Sequence, residues 1–199
     1  KDNDENFFLW ASFFDPHPPY LVPEPWDSMY DPEEITLPQK VEGEHEKNPP
    51  HFQMTQKENP DYSSYIGEAH DGVHALHGFH SHLHDPEEQK KGIAVYYGMV
   101  SLMDKYIGKI LDKLDELGLA EDTIVVFTND HGHLYGQHGL TAKGPFHYED
   151  LLRLPFIVRY PGKVPADNKC DALQSLVDLA PTFLNFCDIE VPDEMTGVD

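Results

Sequence analysis

The sequence has few cysteines, few positive charges and no long apolar run. Among its 199 residues, Cys170 and Cys187 are the only cysteines, and neither stands in a CxxC pair. That spacing gives no signal for a zinc ribbon or a thioredoxin-like redox site, so we expect two free thiols. No stretch approaches the about 20 apolar residues of a membrane span. The chain shows neither a signal peptide nor an initiating Met.

The charge balance limits the kinds of partner. Lys and Arg total 14, Asp and Glu total 36, and the formal net charge is −22 with His neutral. A nucleic-acid backbone or an anionic membrane would be repelled, so we expect neither as a partner. An acidic protein that handles an anion must build a local positive pocket from a metal or from a few His, Lys and Arg side chains.

The first half of the chain predicts a strand, an irregular stretch and a long helix. The apolar and aromatic run at 7–14 predicts a buried strand that ends in the Pro-locked loop "DPHPPY". Residues 16–60 are rich in Pro, Glu and Asp and predict an irregular excursion over the surface. A helix then follows, ending near Gly118. Its apolar stripe consists of Tyr96, Val100, Met103, Ile107, Ile110, Leu114 and Leu117.

The second half predicts two strands and a further helix. The β-branched run at 124–128 is typical of a buried parallel strand, and 155–160 predicts another strand. Residues 178–187 predict a helix with Asp178 as N-cap and Pro181 in the first turn. This alternation indicates an α/β domain, in which ligands bind beyond the carboxyl ends of the strands. The loops "DPHPPY" and "NDHGH" are therefore expected to converge on one site.

The loop after the strand at 124–128 carries the candidate metal ligands and a cation. Asp130 and His131 follow the strand directly, and a carboxylate beside an imidazole is a common half of a divalent-cation site. Gly132 would let the backbone turn sharply beneath the metal. Lys143, between small residues, can supply the positive charge that an oxyanion needs. The alternatives are an Asx-type turn with a solvated His and a solvent-exposed lysine.

Several histidines are further candidates. His17 is held between prolines that preset where its imidazole points, so it could bind an anion; the alternative is packing on Tyr20. His138, flanked by glycines, could reach a substrate or a leaving group. For His133 and His147 we expect supporting or surface positions.

The segment 68–85 contains six histidines. One interpretation is a solvated insertion, and the other is a transition-metal site or a wall of the substrate pocket. If residues 80–84 formed a strand, their three histidines would lie on one face. The six are His70, His74, His77, His80, His82 and His84.

Four motifs together resemble the sulfatase family of the alkaline phosphatase superfamily. They are, in order, "FFLWASFFDPHPPY", "AVYYGMVSLMDKYIGKILDKLDELGLAEDTIVVFTNDHG", "GQHGLTAKGPFHYEDLLRLPFIVRYPGKVP" and "LVDLAPTFL". The resemblance covers most of the chain outside residues 32–90. It implies an α/β, alkaline-phosphatase-like sandwich with a mixed, mainly parallel sheet flanked by helices, incomplete in this chain.

The resemblance also implies roles for individual residues. Asp130 and His131 match the later pair of metal ligands, usually for calcium. Lys143 matches a lysine that contacts the sulfate and helps the leaving oxygen, and His17 matches a histidine that binds a sulfate oxygen. His138 lies where some members place a substrate-facing residue. In the family a formylglycine, made from Cys or Ser, attacks sulfur.

The nucleophile motif, C-x-P-S-R or C-x-A-x-R, does not occur in this sequence. We therefore expect residues 1–199 to be a partial catalytic domain, with 32–90 as an irregular His-rich insertion. The N-terminal nucleophile segment and most of the C-terminal subdomain are expected to lie outside it. The chain alone is expected to be inactive and to need the N-terminal remainder as a partner.

The resemblance implies a sulfuric ester hydrolase whose substrate is a sulfated small molecule or glycan, in a periplasmic or extracellular location. One alternative is a phosphoesterase or phosphonate monoester hydrolase of the same superfamily, since sulfate and phosphate are both tetrahedral oxyanions. Another alternative, from a different class, is a non-catalytic metal-binding module formed by the His-rich segment.

Overall fold

The computed structural model describes residues 5–58 and 84–199. In chain order the helices are α1 (Pro50–Met54), α2 (Pro86–Glu116), α3 (Glu149–Leu152) and α4 (Leu179–Phe186). The strands are β1 (Val125–Thr128), β2 (Leu134–Tyr135), β3 (Thr141–Ala142) and β4 (Phe156–Arg159). Short 3₁₀ turns, among them Trp26–Ser28 and Gln137–Gly139, join several of them.

The long helix predicted from the apolar stripe is confirmed as α2. Asp85 caps its first turn by accepting a hydrogen bond from the Glu87 N–H at 3.1 Å, and Pro86 occupies the first helical position. Gly118, just beyond the last turn, has φ +66°, as a C-terminal glycine should. The fully buried positions are Ile93, Ala94, Gly98 and Met99, whereas the predicted stripe is only partly covered.

Both strand pairings in the described residues are antiparallel. β1 pairs with β4, with Val125 opposite Arg159 and Thr128 opposite Phe156. β2 and β3 form a small hairpin. The strands predicted at 124–128 and 155–160 therefore exist. Within the described residues β1 has an antiparallel neighbour, β4, and its predicted parallel neighbour stays a prediction. The segment between β1 and β4 folds back on itself, so β4 returns alongside β1 in the opposite direction.

The buried strand predicted at 7–14 is not formed. Residues 7–14 adopt no regular element, and Phe8 and Trp10 are 78% and 71% exposed. A strand needs a neighbour to pair its backbone N–H and C=O groups, and none of the described strands runs beside this segment. Apolar sequence alone therefore did not determine its conformation.

The core is built mainly from the segment between β1 and β4. Its buried cluster consists of Phe52, Leu134, Leu140, Phe146 and Leu151, with Tyr148 packed against it. Phe52 belongs to α1, within the stretch predicted to run irregularly over the surface. That stretch is indeed mostly irregular, but it places one aromatic ring in the core and buries His45 and Thr55 as well.

The C-terminal helix predicted at 178–187 is confirmed as α4, with Asp178 at its N-cap position. Cys170 and Cys187 are free and exposed. Among the helices that the structure describes, none combines the length and apolar content that a bilayer crossing requires. Histidines 70 to 82 lie outside the described residues, so the expectations for the six-His segment stay predictions.

A close backbone approach sets the geometry around Gly132. Its N–H donates to the Leu151 carbonyl at 2.9 Å, and a Cβ added there would lie 1.8 Å from the Asp150 carbonyl oxygen. A methyl group would push α3 away from the loop that follows β1. Gly132 has no left-handed φ, so the constraint is the missing side chain rather than backbone freedom.

We therefore expect Gly132→Ala to lower the free energy of unfolding by about 2 kcal/mol through overpacking. Gly108→Ala is the matched control, because Gly108 lies within α2 with nothing near an added Cβ. There alanine should raise the free energy of unfolding by about 1 kcal/mol through helix propensity. Thermal and denaturant unfolding of the full-length protein measure both. Equal stability of the two variants would contradict the close-approach argument.

Candidate functional site

Asp130 and His131 lie two and three residues beyond the end of β1. Asp130 Oδ1 accepts the His131 backbone N–H at 2.9 Å, which orients the carboxylate. Its other oxygen, Oδ2, is 3.5 Å from His131 Nε2. The Asp130 side chain is 81% exposed and that of His131 is 37% exposed. A carboxylate oxygen and an imidazole nitrogen are therefore presented side by side at an accessible strand end.

Lys143 completes a three-residue group with this pair. Its Nζ lies 2.9 Å from His131 Nε2. The other ring nitrogen, Nδ1, is 2.8 Å from the Gly132 carbonyl oxygen, an acceptor that requires the ring proton on Nδ1. Nε2 then carries the lone pair, which accepts a hydrogen bond from the lysine ammonium. The structure thus brings Asp130, His131 and Lys143 together, and their roles in a site stay predictions.

An open cleft of about 420 Å³ adjoins the group. Its polar side chains are His131, Lys143 and His147, and its apolar wall comes from Phe146, Leu151 and Leu152. His147 is exposed at the cleft, whereas Phe146 is almost fully buried beneath it. The cleft thus offers a cationic edge beside an apolar wall, a combination suited to an anionic group carried on a larger organic body.

The two loops expected to converge are joined by one hydrogen bond. Tyr20, at the end of "DPHPPY", has its hydroxyl 2.8 Å from His133 Nε2. Burial raises the pKa of Tyr20, so its hydroxyl stays protonated and can donate. His17 itself turns towards its own loop: Nδ1 lies 2.7 Å from the Pro18 carbonyl oxygen, and the ring contacts Phe14. The structure therefore brings the loops together without placing His17 in contact with Lys143 in the described contacts.

His138 lies apart from the residues that line the cleft. Its ring stacks on Tyr148 with centroids 3.6 Å apart. Nδ1 is hydrogen-bonded to the Glu44 carboxylate, and Nε2 is 3.4 Å from Asp150 Oδ2. Its backbone adopts φ +59°, which is uncommon for a residue with a side chain. These contacts fix the His138 ring within a turn. Its role as a substrate-facing residue stays a prediction.

Sequence reasoning missed the groups that surround this turn. Glu44, His45 and His51 come from the stretch predicted to be surface loop, about ninety positions before their partners. The run "GEHEKNPPHF" has neither helical nor strand periodicity, so no local pattern marked it. Its two histidines, one of them directly after a proline, were the available signal.

The donor set fits one side of a divalent-cation site. Neighbouring ligands of one cation at about 2.4 Å stand roughly 3 to 3.5 Å apart, and Asp130 Oδ2 and His131 Nε2 have that spacing. A ring proton held on Nδ1 by a carbonyl is also the usual arrangement for a histidine that ligates through Nε2. Within residues 5–58 and 84–199, no third His, Cys, Asp or Glu joins them. The described residues thus offer two ligands, and other groups would have to complete the sphere. A cation on His131 Nε2 would replace the hydrogen bond from Lys143, because that nitrogen has a single lone pair.

Comparison with known proteins identifies relatives of the chain. The N-acetylglucosamine-6-O-sulfatase of Bacteroides thetaiotaomicron is 40% identical over 102 residues, which are 51% of this chain and 18% of that protein. The arylsulfatase of Clostridium perfringens is 30% identical over 203 residues, covering 100% of this chain and 37% of that protein. The chain therefore spans only part of these relatives: 37%, little more than a third, of the length of the Clostridium perfringens protein.

A solved structure supports the same grouping. The phosphonate monoester hydrolase of Silicibacter pomeroyi superposes with a TM-score of 0.72 at 29% identity, over 92% of this chain and 34% of that one. The predicted α/β, alkaline-phosphatase-like fold class is thereby confirmed. The family model described as "Sulfatase" matches residues 1–189, and on this evidence the chain belongs to the sulfatase family.

Proposed function

We propose that the full-length protein carrying this chain is a sulfuric ester hydrolase that acts on a sulfated carbohydrate. The observation that carries the proposal is the Lys143 ammonium 2.9 Å from His131 Nε2, with Asp130 beside it, at the edge of an open cleft. The name of the Bacteroides relative, an N-acetylglucosamine-6-O-sulfatase, supports a sugar substrate. An exported location, where extracellular glycans are met, belongs to the same proposal.

The reaction adds water to a sulfate ester and releases an alcohol and hydrogensulfate. The bond between sulfur and the leaving oxygen breaks, and negative charge develops on that oxygen. Lys143 would donate a hydrogen bond there, and its positive charge would neutralise the sulfate in a protein that is otherwise strongly acidic. Leu152, the exposed member of the apolar wall, would contact the body of the substrate, with Phe146 and Leu151 buried behind it.

Asp130 and His131 would hold a divalent cation, for which we propose calcium, together with ligands from outside this chain. When bound, that cation supplies positive charge to a sulfate oxygen and to the nucleophile. The nucleophile itself, a formylglycine in this proposal, would come from the remainder of the protein. His17 and His138 stay predicted substrate contacts.

A second candidate function is phosphonate monoester hydrolysis. It is favoured by the structural likeness to the Silicibacter pomeroyi enzyme over 92% of this chain. In both reactions a nucleophile attacks a tetrahedral anion that lies next to a cation and a lysine. The described residues are therefore suited to either reaction.

The deciding experiment is a substrate panel with the purified full-length protein. We expect release of sulfate from 4-nitrophenyl sulfate and from 6-O-sulfated N-acetylglucosamine, with at least about tenfold lower kcat/KM on phenyl phosphonate esters, a difference of about 1.4 kcal/mol. The opposite order would favour the second function. Absence of turnover on both classes would refute hydrolysis of these esters.

Replacing the lysine tests the chemical step. Lys143→Ala should lower kcat/KM for sulfate esters by about a hundredfold or more, because the charge and the hydrogen bond to the leaving oxygen are lost. Lys163→Ala is the control, since Lys163 is an exposed lysine in the turn after β4. It should retain full activity. A Lys143 variant as active as the control would remove Lys143 from the mechanism.

Replacing the carboxylate tests the cation site. Asp130→Asn should weaken calcium binding by about tenfold or more, because one of the charged oxygen ligands is lost. Asp122→Asn is the control, since Asp122 is exposed before the other end of β1. Calorimetric titration of the metal-stripped, full-length protein measures both, and chelation should abolish activity reversibly. Unchanged affinity in the Asp130 variant would exclude it as a ligand.

A further inference from the structure

The loop that carries Lys143 is held from both sides by one distant segment. We call residues 137–148 the Lys143 loop and residues 45–56 the clamp segment. His45 Nε2 is 2.9 Å from the His138 carbonyl oxygen, five residues before Lys143. His51 Nε2 is 3.0 Å from the Pro145 carbonyl oxygen, two residues after it. Two imidazoles of the clamp segment thus donate to backbone carbonyls on either side of the lysine.

The hydrogen bonds of His45 determine which of its ring nitrogens is protonated. Its Nε2 faces a carbonyl, which only accepts, so Nε2 carries a proton. Its Nδ1 faces Asn48 Nδ2 at 3.4 Å and the Tyr148 hydroxyl at 3.3 Å, both able to donate. Burial, and secondarily the Glu44 carboxylate, raise the pKa of Tyr148, so that hydroxyl keeps its proton. His45, itself buried, is thereby fully hydrogen-bonded between the clamp segment and the Lys143 loop.

Aromatic packing reinforces these hydrogen bonds. Phe52 meets Phe146 edge to face at 5.0 Å and Tyr148 at 5.8 Å. The His51 ring stacks on Phe146 with centroids 5.9 Å apart. A further hydrogen bond runs from Gln56 Nε2 to the Gly139 carbonyl oxygen at 3.3 Å. These contacts therefore hold the backbone of the Lys143 loop along most of its length. The lysine side chain itself points towards His131.

We propose that His45 and His51 are positioning residues that set where the Lys143 ammonium meets the leaving oxygen. The inference rests on the proposed function, because it names what orients the lysine of that reaction. Neither histidine lines the cleft, so each acts through the loop rather than by touching substrate. Misplacing a reacting group by about 1 Å costs up to about a hundredfold in rate, so small loop shifts would be measurable.

The test compares His51→Leu with His51→Gln in the full-length protein. Glutamine keeps an N–H that can reach the Pro145 carbonyl, whereas leucine removes it. Gln53→Leu is the matched control, because Gln53 also donates to a backbone carbonyl, that of Glu46 at 3.1 Å, but within the clamp segment. The His45→Leu and His45→Gln pair repeats the comparison at the buried position.

The readout is the dependence of kcat/KM on the leaving group. We expect His51→Leu to lose about tenfold on phenyl sulfate, which needs help at the leaving oxygen, and far less on 4-nitrophenyl sulfate, which does not. His51→Gln should recover most of the loss, and Gln53→Leu should resemble the unaltered protein. In a Lys143→Ala background His51→Leu should add no further loss, because the two changes act on one interaction.

Three results would overturn the proposal. They are equal losses on both substrates, full activity of His51→Leu, or additive losses in the Lys143→Ala background. Amide hydrogen exchange of the Lys143 loop decides the matter even if the full-length protein hydrolyses no sulfate ester. Faster exchange in His51→Leu but not in Gln53→Leu supports the clamp, and unchanged exchange in both refutes it, whatever the outcome for the proposed function.

Discussion

The packing of Phe146 against Phe52 is the interaction on which the arrangement around Lys143 depends. Phe146 is 1% exposed, and Leu134, Leu140 and Leu151 close the cluster around it. Because Lys143 lies between Leu140 and Phe146, both ends of its loop are anchored in one core. Removing a buried aromatic ring lowers the free energy of unfolding by about 3 to 5 kcal/mol. Burial of Phe146 therefore strongly stabilises this conformation of the loop. The catalytic proposal thus rests on hydrophobic burial as much as on charge.

The charge distribution is the second constraint on this site. The protein has a net charge of −22, and most of its surface repels anions. At the cleft, the lysine ammonium supplies local positive charge within this negative field, beside the imidazoles of His131 and His147. Under the proposed function, a compact anion on a sugar would be bound there, whereas an extended polyanion would meet repulsion outside the cleft. A cation bound by Asp130 and His131 would add further positive charge at the cleft.

Features that depend on a few neighbouring residues were predictable from the sequence. Helix α2 follows from its apolar periodicity, the Asp85–Pro86 start and the glycine beyond its end. The conformation of residues 7–14 was not predictable in the same way, because a strand forms only beside a partner that supplies its hydrogen bonds, and these residues form none. The direction of the β1–β4 pairing likewise depends on how the intervening loop folds back.

The sequence by itself determined the chemistry that the site can use: a carboxylate, an imidazole and an ammonium that follow a strand end, at Asp130, His131 and Lys143. Only the tertiary structure decided what holds them. His51 and Pro145 are 94 positions apart, and Tyr20 and His133 are 113 positions apart. No local periodicity links such pairs, since they meet only after the core has formed. The sequence specifies which residue types are present. The position of a loop is determined by packing between segments that are far apart in the sequence.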